Sequence, residues 1–481
     1  ETPARQRLAY DELLAHQMTL ALARGRDRKL RGRESRGDGR IRRRILDALA
    51  YRPTAAQVRA MEEIDGDMVA PRRMNRLLQG DVGSGKTLVA LAAMVTAVEA
   101  GGQAALMAPT EILARQHLES LAPLAEAAGL RIDVLTGRDK GQVRAAKLAA
   151  AASGETDLIV GTHALFQADV AFADLRLAIV DEQHRFGVRE RMELGRKGVQ
   201  ADVLVMTATP IPRSLSLAQY GDMDVSILDE KPPGRQPIDT VLISAERLDE
   251  VIDRLGRALD AGRQAYWVCP LVEESDAVAL TAAEARAADL ATRLGAERVG
   301  LVHGQMPTAD KDRAMAEFVS GRVPLLVATT VIEVGVNVPA ASIMVIEGAE
   351  RFGLAQLHQL RGRVGRGPQR SSCILLFQPP LGTTARQRLE IMRETEDGFR
   401  IAETDLKLRG AGDVLGTQQS GLPKFFIADL ERQSDLMAKA QDDARLLVAT
   451  DPMLQTPRGQ AMRTLLYLMD RDRAVQLLSV G

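Results

Sequence analysis

The chain has 481 residues, 46% hydrophobic and 26% charged, with 63 Lys and Arg against 64 Asp and Glu. That length exceeds what one core supports and implies two to four domains, while two cysteines, Cys269 and Cys373, exclude a disulfide framework and point to a reducing compartment. A formal net charge of −1 carries no global signature of nucleic-acid binding, no run of 18 apolar residues offers a membrane span, and no apolar signal segment opens the chain.

Near the start, Leu8, Leu13, Leu14, Met18, Leu20 and Leu22 recur at helical spacing and predict an amphipathic helix that needs a partner surface. Residues 24–44, RGRDRKLRGRESRGDGRIRRR, hold eleven basic and three acidic residues, a local charge of +8 that leaves −9 for the remainder. Rich in Gly and almost free of apolar residues, this stretch reads as a linker: either a solvated connector or a basic arm that touches phosphates. Residues 1–44 are therefore assigned to an N-terminal helix and a basic linker.

From residue 45 short β-prone runs alternate with helical patterns. RLLQG, AALMAPT, DLIVGT, LAIVDE and VLVMTATP each end in small, polar or acidic residues. Pro and Gly break the pattern at LDEKPPGRQP (228–237), and it resumes with QAYWVCPLV, RVGLVHG, VPLLVATT and ASIMVIEG. The pattern predicts two α/β domains of parallel strands wrapped by helices, 45–232 and 238–380. Residues 381–481 read as a mostly helical segment with a Gly-rich interruption at RGAGDVLGTQQSG.

Gly80, Asp81, Val82, Gly83, Ser84, Gly85, Lys86 and Thr87 spell GDVGSGKT, a phosphate-binding loop set between an apolar strand and a helix. Its glycines let backbone N–H groups curl around phosphate oxygens, and the helix N-terminus adds partial positive charge. Lys86 brings a full charge to the β- and γ-phosphates of a nucleotide such as ATP, and the Thr87 hydroxyl is a ligand for Mg2+. Asp181 and Glu182 end another buried strand pattern in LRLAIVDEQH. Asp181 is the second magnesium ligand, usually through water, and Glu182 takes the proton from the attacking water.

With these motifs in place, the chain resembles the superfamily-two helicases and translocases. The resemblance extends through APTEILARQH, GTHAL, TATPIPRSL, LVHG, ATTVIEVGVNVP and QLHQLRGRVGRG, in that superfamily's order. Within the superfamily it is similar to the RecG family of bacterial branched-DNA translocases, through MAPTEILARQH, GTHALFQ, DEQHRFGV, MTATPIPR, PPGR, GRQAYWVCPLVEES and RGAGDVLGTQQSG, over about residues 45 to 430. The resemblance implies two tandem RecA-like P-loop NTPase domains, an ATP-binding helicase domain and a helicase C-terminal domain, followed by a helical hairpin that couples domain movement to translocation. It implies an ATP-dependent DNA helicase that regresses forks and migrates Holliday junctions in recombination and repair. Branched or duplex DNA and a single-stranded-DNA-binding protein are the implied partners, with no membrane role. A monomer in the bacterial cytoplasm, at the nucleoid, is the implied state. The family's large N-terminal wedge domain is not legible here and the chain opens on Glu1 rather than Met, so the expectation is a motor without its wedge.

Residue roles follow from the same resemblance. Gln57, in YRPTAAQ, reads the adenine edge, since an amide donates and accepts at once. Gln183 and His184 sense the γ-phosphate and connect it to Thr207 and Thr209 of TAT. Arg363 and Arg366 reach the γ-phosphate from the second domain and stabilise transition-state charge. Gly335 and Asn337 contact the nucleotide. Thr110, Thr162, Thr329 and Thr330 hold one DNA strand by its phosphates, although each also suits a helix cap. Arg409 and Gln419 belong to the coupling tail. Three positions depart from the family pattern: Asn337 stands where Asp is usual, and Gln305 and Gln418 where Arg is usual. Aromatic residues are 3% of the chain, with Trp267 the sole Trp, so base stacking does not dominate DNA binding. The alternatives are the motor of a transcription-repair coupling factor, an RNA helicase, and a DNA-binding module that uses ATP as a switch without turnover.

Overall fold

The computed structural model describes residues 2–29, 32–182, 201–208, 211–212, 223–232, 236–270, 276–329, 338–367, 369–416, 425–429 and 433–471. The chain divides into two units, one of Glu1–Gly80, Gly85–Glu230 and Arg409–Gly481, the other of Asp81–Ser84 and Lys231–Leu408.

The helices α1 (Pro3–Lys29), α2 (Arg40–Asp47) and α3 (Ala55–Val69) precede the first strand, β1 (Asn75–Gly80). Then follow α4 (Lys86–Glu99), β2 (Gln103–Met107), α5 (Glu111–Ala128), β3 (Ile132–Leu135), α6 (Gly141–Ser153) and β4 (Leu158–Gly161). The strands β5 (Leu175–Val180), β6 (Asp202–Thr207) and β7 (Asp224–Leu228) complete a seven-stranded sheet of order β3-β4-β2-β5-β6-β1-β7. Every pairing in it is parallel. Five strands, β1, β2, β4, β5 and β6, fall on the five runs predicted, because strands buried on both faces read as unbroken apolar stretches. Helix α4 is apolar all round, with every residue from Leu88 to Ala97 buried, and fills the core together with Met61, Ile64 and Met68 of α3.

The second unit carries β8 (Ile238–Ser244), α7 (Leu248–Asp260), β9 (Gln264–Val268), α8 (Asp276–Leu294), β10 (Val299–Val302), α9 (Thr308–Val319), β11 (Leu325–Ala328) and β12 (Ala341–Ile346). It continues with α10 (Leu354–Arg361), β13 (Ser371–Phe377), α11 (Thr383–Glu394) and the start of α12 (Gly398–Gly416). Its six-stranded sheet, order β10-β11-β9-β12-β13-β8, is again parallel throughout. Trp267, Val327, Ile343 and Val345 form its core with Ile252 and Leu255 of α7 and Leu290 of α8. Both cysteines are free and buried, and burial pushes each thiol up to about 12. The α/β class with two tandem parallel sheets is the one expected.

The tail is helical, with α13 (Ser434–Thr450) and α14 (Pro457–Leu468). The Gly-rich interruption starts later than the sequence suggests, since α12 runs on through Arg409 to Gly416; a helical Gly costs about 1 kcal/mol against Ala but does not forbid the helix. The amphipathic N-terminal helix finds its partner surface in this tail: Leu13, Leu14, Met18 and Leu22 of α1 pack with Met437, Ala440, Ala444 and Leu447 of α13 and Met462 and Leu466 of α14. The Glu12 carboxylate accepts from the backbone N–H groups of Phe426, Ile427 and Ala428 at 2.7, 2.9 and 2.8 Å.

The basic stretch 24–44 is not one connector, since its first six residues end α1 and its last five begin α2. Between them Ser35 N–H donates to Met68 O at 2.8 Å, and Arg33 pairs with Asp174. The Glu99 carboxylate takes the N–H groups of Gly39, Ile41 and Arg42 at 2.9, 2.6 and 3.1 Å, and Arg42 grips Asp65 with both guanidinium ends. The acidic surplus elsewhere in the chain supplies the partners that hold this segment in place.

Candidate functional site

Parallel strands deliver their C-terminal ends to one edge of a sheet, where α/β proteins bind ligands. In the first sheet β6 lies between β1 and β5, with Gln79 opposite Thr207 and Val180 opposite Val205. The phosphate loop after Gly80 and the acidic pair after Val180 therefore leave the same edge two strands apart, about 10 Å at 4.8 Å per strand. Thr207, buried at the end of β6, stands between them.

The loop between β1 and α4 turns back on itself. Lys86 Nζ donates to Gly80 O at 2.7 Å, Ser84 N–H to Asp81 O at 3.1 Å and Val82 N–H to the Asp81 carboxylate at 2.6 Å. Gly83 and Gly85 take φ of 76° and 85°, and Gly85 is the N-cap of α4, so no cap side chain occupies the helix N-terminus. Lys86 and Thr87, the first residues of α4, are half-buried. Gln57 is 1% exposed and caps α3 reciprocally: its N–H donates to Thr54 Oγ1 at 3.2 Å, and Thr54 N–H donates to its Oε1 at 3.0 Å. Its amide nitrogen lies where a Cβ on Gly85 would come within 2.1 Å. The predicted adenine-reading glutamine thus abuts the phosphate loop, and Gly85 is required twice, for its φ and for its missing Cβ.

Asp181 is 6% exposed. Its N–H donates to Met107 O at 2.8 Å, its Oδ1 accepts from Glu182 N–H at 3.0 Å and its Oδ2 from His117 Nε2–H at 2.8 Å. Glu182 sits at φ 52°, a left-handed backbone for a residue with a Cβ, and such strain concentrates at functional sites.

Thr110 and Thr162 are both helix N-caps, accepting from Leu113 N–H at 3.3 Å and Ala164 N–H at 3.5 Å. A capping hydroxyl still has its own proton to give. Thr329 is buried at the end of β11, its N–H on Val302 O at 3.4 Å. In the second unit Arg363 and Arg366 follow α10 and are half-buried; Arg366 Nε donates to Gly362 O at 3.2 Å. Gln305 is exposed. Arg409 lies within α12, its side chain outside the described residues. Gln183, His184, Thr209, Thr330, Gly335, Asn337, Gln418 and Gln419 lie outside the described residues altogether.

Three further residues support these positions. Gln79 Nε2 donates to Ile211 O at 2.9 Å and ties the end of β1 to the segment after TAT. Arg361, buried inside LRGRVGRG, donates to Met392 O, Thr395 O and His358 Nδ1 at 2.6, 2.9 and 3.1 Å and anchors α10 to the end of α11. His117 holds Asp181, and its signal in the sequence was its place in APTEILARQH, seven residues after Thr110.

Comparison with known proteins follows this layout. Residues 54–217 match the DEAD/DEAH box helicase model, 246–368 the helicase conserved C-terminal domain, and 395–476 domain 3, C-terminal, of the ATP-dependent DNA helicase RecG. The ATP-dependent DNA helicase RecG of Acidithiobacillus ferridurans is 52% identical, over 94% of this chain and 66% of its own length. That of Bacillus subtilis (strain 168) is 47% identical, over 96% of this chain and 68% of its own. The chain belongs to the RecG family. A solved structure of RecG bound to a three-way DNA junction matches with a TM-score of 0.75 and 43% identity, over 90% of this chain and 57% of that one. The chain thus spans about two thirds of the length of the curated RecG relatives it matches. The RecG-specific match begins at residue 395, between α11 and α12, and covers the tail that α1 packs against.

Proposed function

We propose that this chain is an ATP-driven DNA translocase that remodels branched DNA, and that its ATP site is the edge formed by the loop after β1 and the acidic pair after β5. The observation that carries the reading is that junction: a glycine loop backed by Lys86 and roofed by Gln57, on one sheet edge with a buried Asp181 and a strained Glu182. Membership of the RecG family supports branched DNA as the substrate class and the bacterial cytoplasm as the workplace.

The residues divide the chemistry among them. The loop N–H groups and Lys86 bind the phosphates, and the α4 N-terminus favours their negative charge. Gln57 orients the base. Magnesium, when bound with the nucleotide, neutralises charge on the β- and γ-phosphates. Among the described residues no three His, Cys, Asp or Glu side chains gather into a metal cage. A magnesium ion shared with phosphates takes only one or two protein oxygens, so the Asp181 carboxylate and the Thr87 hydroxyl are a fitting donor set. Glu182 accepts the proton of the attacking water. Arg363 and Arg366 stabilise charge on the transferring phosphoryl group. Gln183, His184, Thr207, Thr209, Arg409 and Gln419 transmit the change to the DNA grip, which Thr110, Thr162, Thr329 and Thr330 make through phosphates without reading sequence; Gly335 and Asn337 complete the nucleotide contacts. The protein acts as a monomer, with a single-stranded-DNA-binding protein as a partner. A transcription-repair coupling motor is not favoured, since the tail matches the RecG-specific domain.

Displacement of a third strand from a triplex-bearing duplex tests this. ATP should release the strand, and neither ADP nor the Lys86→Ala variant should. Failure to release it with ATP contradicts the translocase reading.

A further inference from the structure

The helix α5 joins two parts of the candidate site. Thr110 caps its N-terminus, and His117 follows seven residues later, two turns along the same face and about 10 Å away at 1.5 Å per residue. His117 is 6% exposed. Its ring gives Nε2–H to Asp181 Oδ2 at 2.8 Å, and the carboxylate partner assigns that tautomer. The other oxygen, Oδ1, is held by the adjacent Glu182 N–H at 3.0 Å. One of these two hydrogen bonds to the carboxylate is thus local to the end of β5, and the other comes from a different element. Ala114, Leu121 and Ala125 set α5 into the core, so the helix carries Thr110 and His117 as one body. The chain leading into it, Ala108–Pro109–Thr110, leaves the end of β2, where Met107 O receives the Asp181 N–H at 2.8 Å.

We propose that His117 is a positioning residue that couples engagement of a DNA strand at the start of α5 to the aim of the Asp181 carboxylate. This rests on the reading of Asp181 and Thr110 under the proposed function. A strand phosphate drawn to the N-terminal end of α5 shifts the helix along or about its axis. His117 moves with it, and the carboxylate turns about the Glu182 N–H contact. A hydrogen bond of this kind is steeply directional, so a shift well under one turn suffices. Partners of this kind to a ligating side chain typically carry about 10- to 100-fold in metal affinity or activity. Coupling between sites is reciprocal, so the same link makes DNA alter nucleotide affinity.

Two amide variants of the full chain separate the link from mere packing. His117→Gln places an amide N–H near the position of Nε2, within reach of Asp181; His117→Asn holds the same group too short. Melting curves establish that both are folded. Turnover is measured with and without a three-way DNA junction, and the equilibrium affinity for a fluorescent ADP is measured under the same two conditions. The expected result is that the Gln variant keeps the ratio of DNA-stimulated to basal turnover within about twofold. The Asn variant loses about tenfold of that ratio, together with the shift in ADP affinity caused by DNA. The proposal is overturned if both variants keep the wild-type ratio and affinity shift. It is also overturned if both lose basal and stimulated turnover in equal proportion, which is the mark of a packing role. Should the Asn variant fail to fold, His117→Leu, which fills similar space without a donor, takes its place: loss of the ratio and affinity shift beside a retained pair in the Gln variant supports the link, and their retention in the Leu variant overturns it. An unstimulated wild-type chain contradicts the DNA-motor reading itself, an outcome visible before any variant is compared.

Discussion

Lys86 and Glu182 lie on the same sheet edge but act on different quantities, and their variants should separate accordingly. Lys86→Ala removes the charge that holds the phosphates and should lower both nucleotide affinity and turnover, the latter by about 10³-fold. Glu182→Gln keeps the shape and loses the base; turnover should fall by about 10²- to 10⁴-fold while affinity for a fluorescent nucleotide stays near wild type. Equal loss of affinity in both would argue against Glu182 as the base. Gly85→Ala should be worse than its size suggests. The added methyl meets the Gln57 amide at 2.1 Å on a backbone of φ 85°, so nucleotide binding should weaken at least tenfold, a free-energy change of about 1.4 kcal/mol, in direct titration. At this scale the sequence was informative wherever chemistry is local in the chain, as in GDVGSGKT and DE. It was silent on the pairing of His117, Gln79 and Arg361 with their partners, which lie 64, 132 and 31 residues away, although His117 itself falls inside the APTEILARQH motif.

Strands were legible chiefly where they are buried, with the edge strand β10, mostly half-buried, as the exception. The central strands read as apolar runs, whereas β3, β7 and β8 are sheet edges with mixed burial and escaped notice; β13, which neighbours β8, escaped too. An edge strand faces solvent on one flank and need not be uniformly apolar. The start of β6 shows what a buried polar position does. Asp202, whose carboxylate accepts from Met74 N–H at 2.7 Å, has its pKa pushed up to about 7 by burial, against the opposing pull of that hydrogen bond and of Arg73. A carboxyl whose folded pKa is raised binds its proton more tightly in the native state than in the unfolded one. This contribution to stability is therefore present at low pH and is lost as pH rises from about 4 to 7. Asp202→Asn keeps the acceptor and removes the titration. It should raise the melting temperature at pH 8, by a stability gain of at most about 4 kcal/mol at about 1.4 kcal/mol per pH unit, and the gain should shrink towards pH 4. A gain independent of pH would contradict the assignment.

For the whole molecule, net charge misled and length did not. The value of −1 conceals a basic arm of +8, part of which is spent on Asp174, Asp65 and other acids of the first unit. The sequence pattern shows a mostly helical tail and an N-terminal helix that needs a partner surface, but not that the two pack together, since 414 residues separate Glu12 from Phe426. Glu12 is 7% exposed and satisfies three backbone donors of the tail. Glu12→Ala should orphan all three and cost about 3 kcal/mol, read as a lower denaturant midpoint; an unchanged midpoint would show that the cap contributes nothing. The central claim, that a nucleotide site on the first sheet answers to DNA, is tested most directly by phosphate release from ATP with and without a three-way DNA junction. The account predicts turnover that rises severalfold with the junction and is about 10³-fold lower in Lys86→Ala under both conditions. Turnover equal in buffer and in saturating junction DNA, from a folded chain, would contradict it.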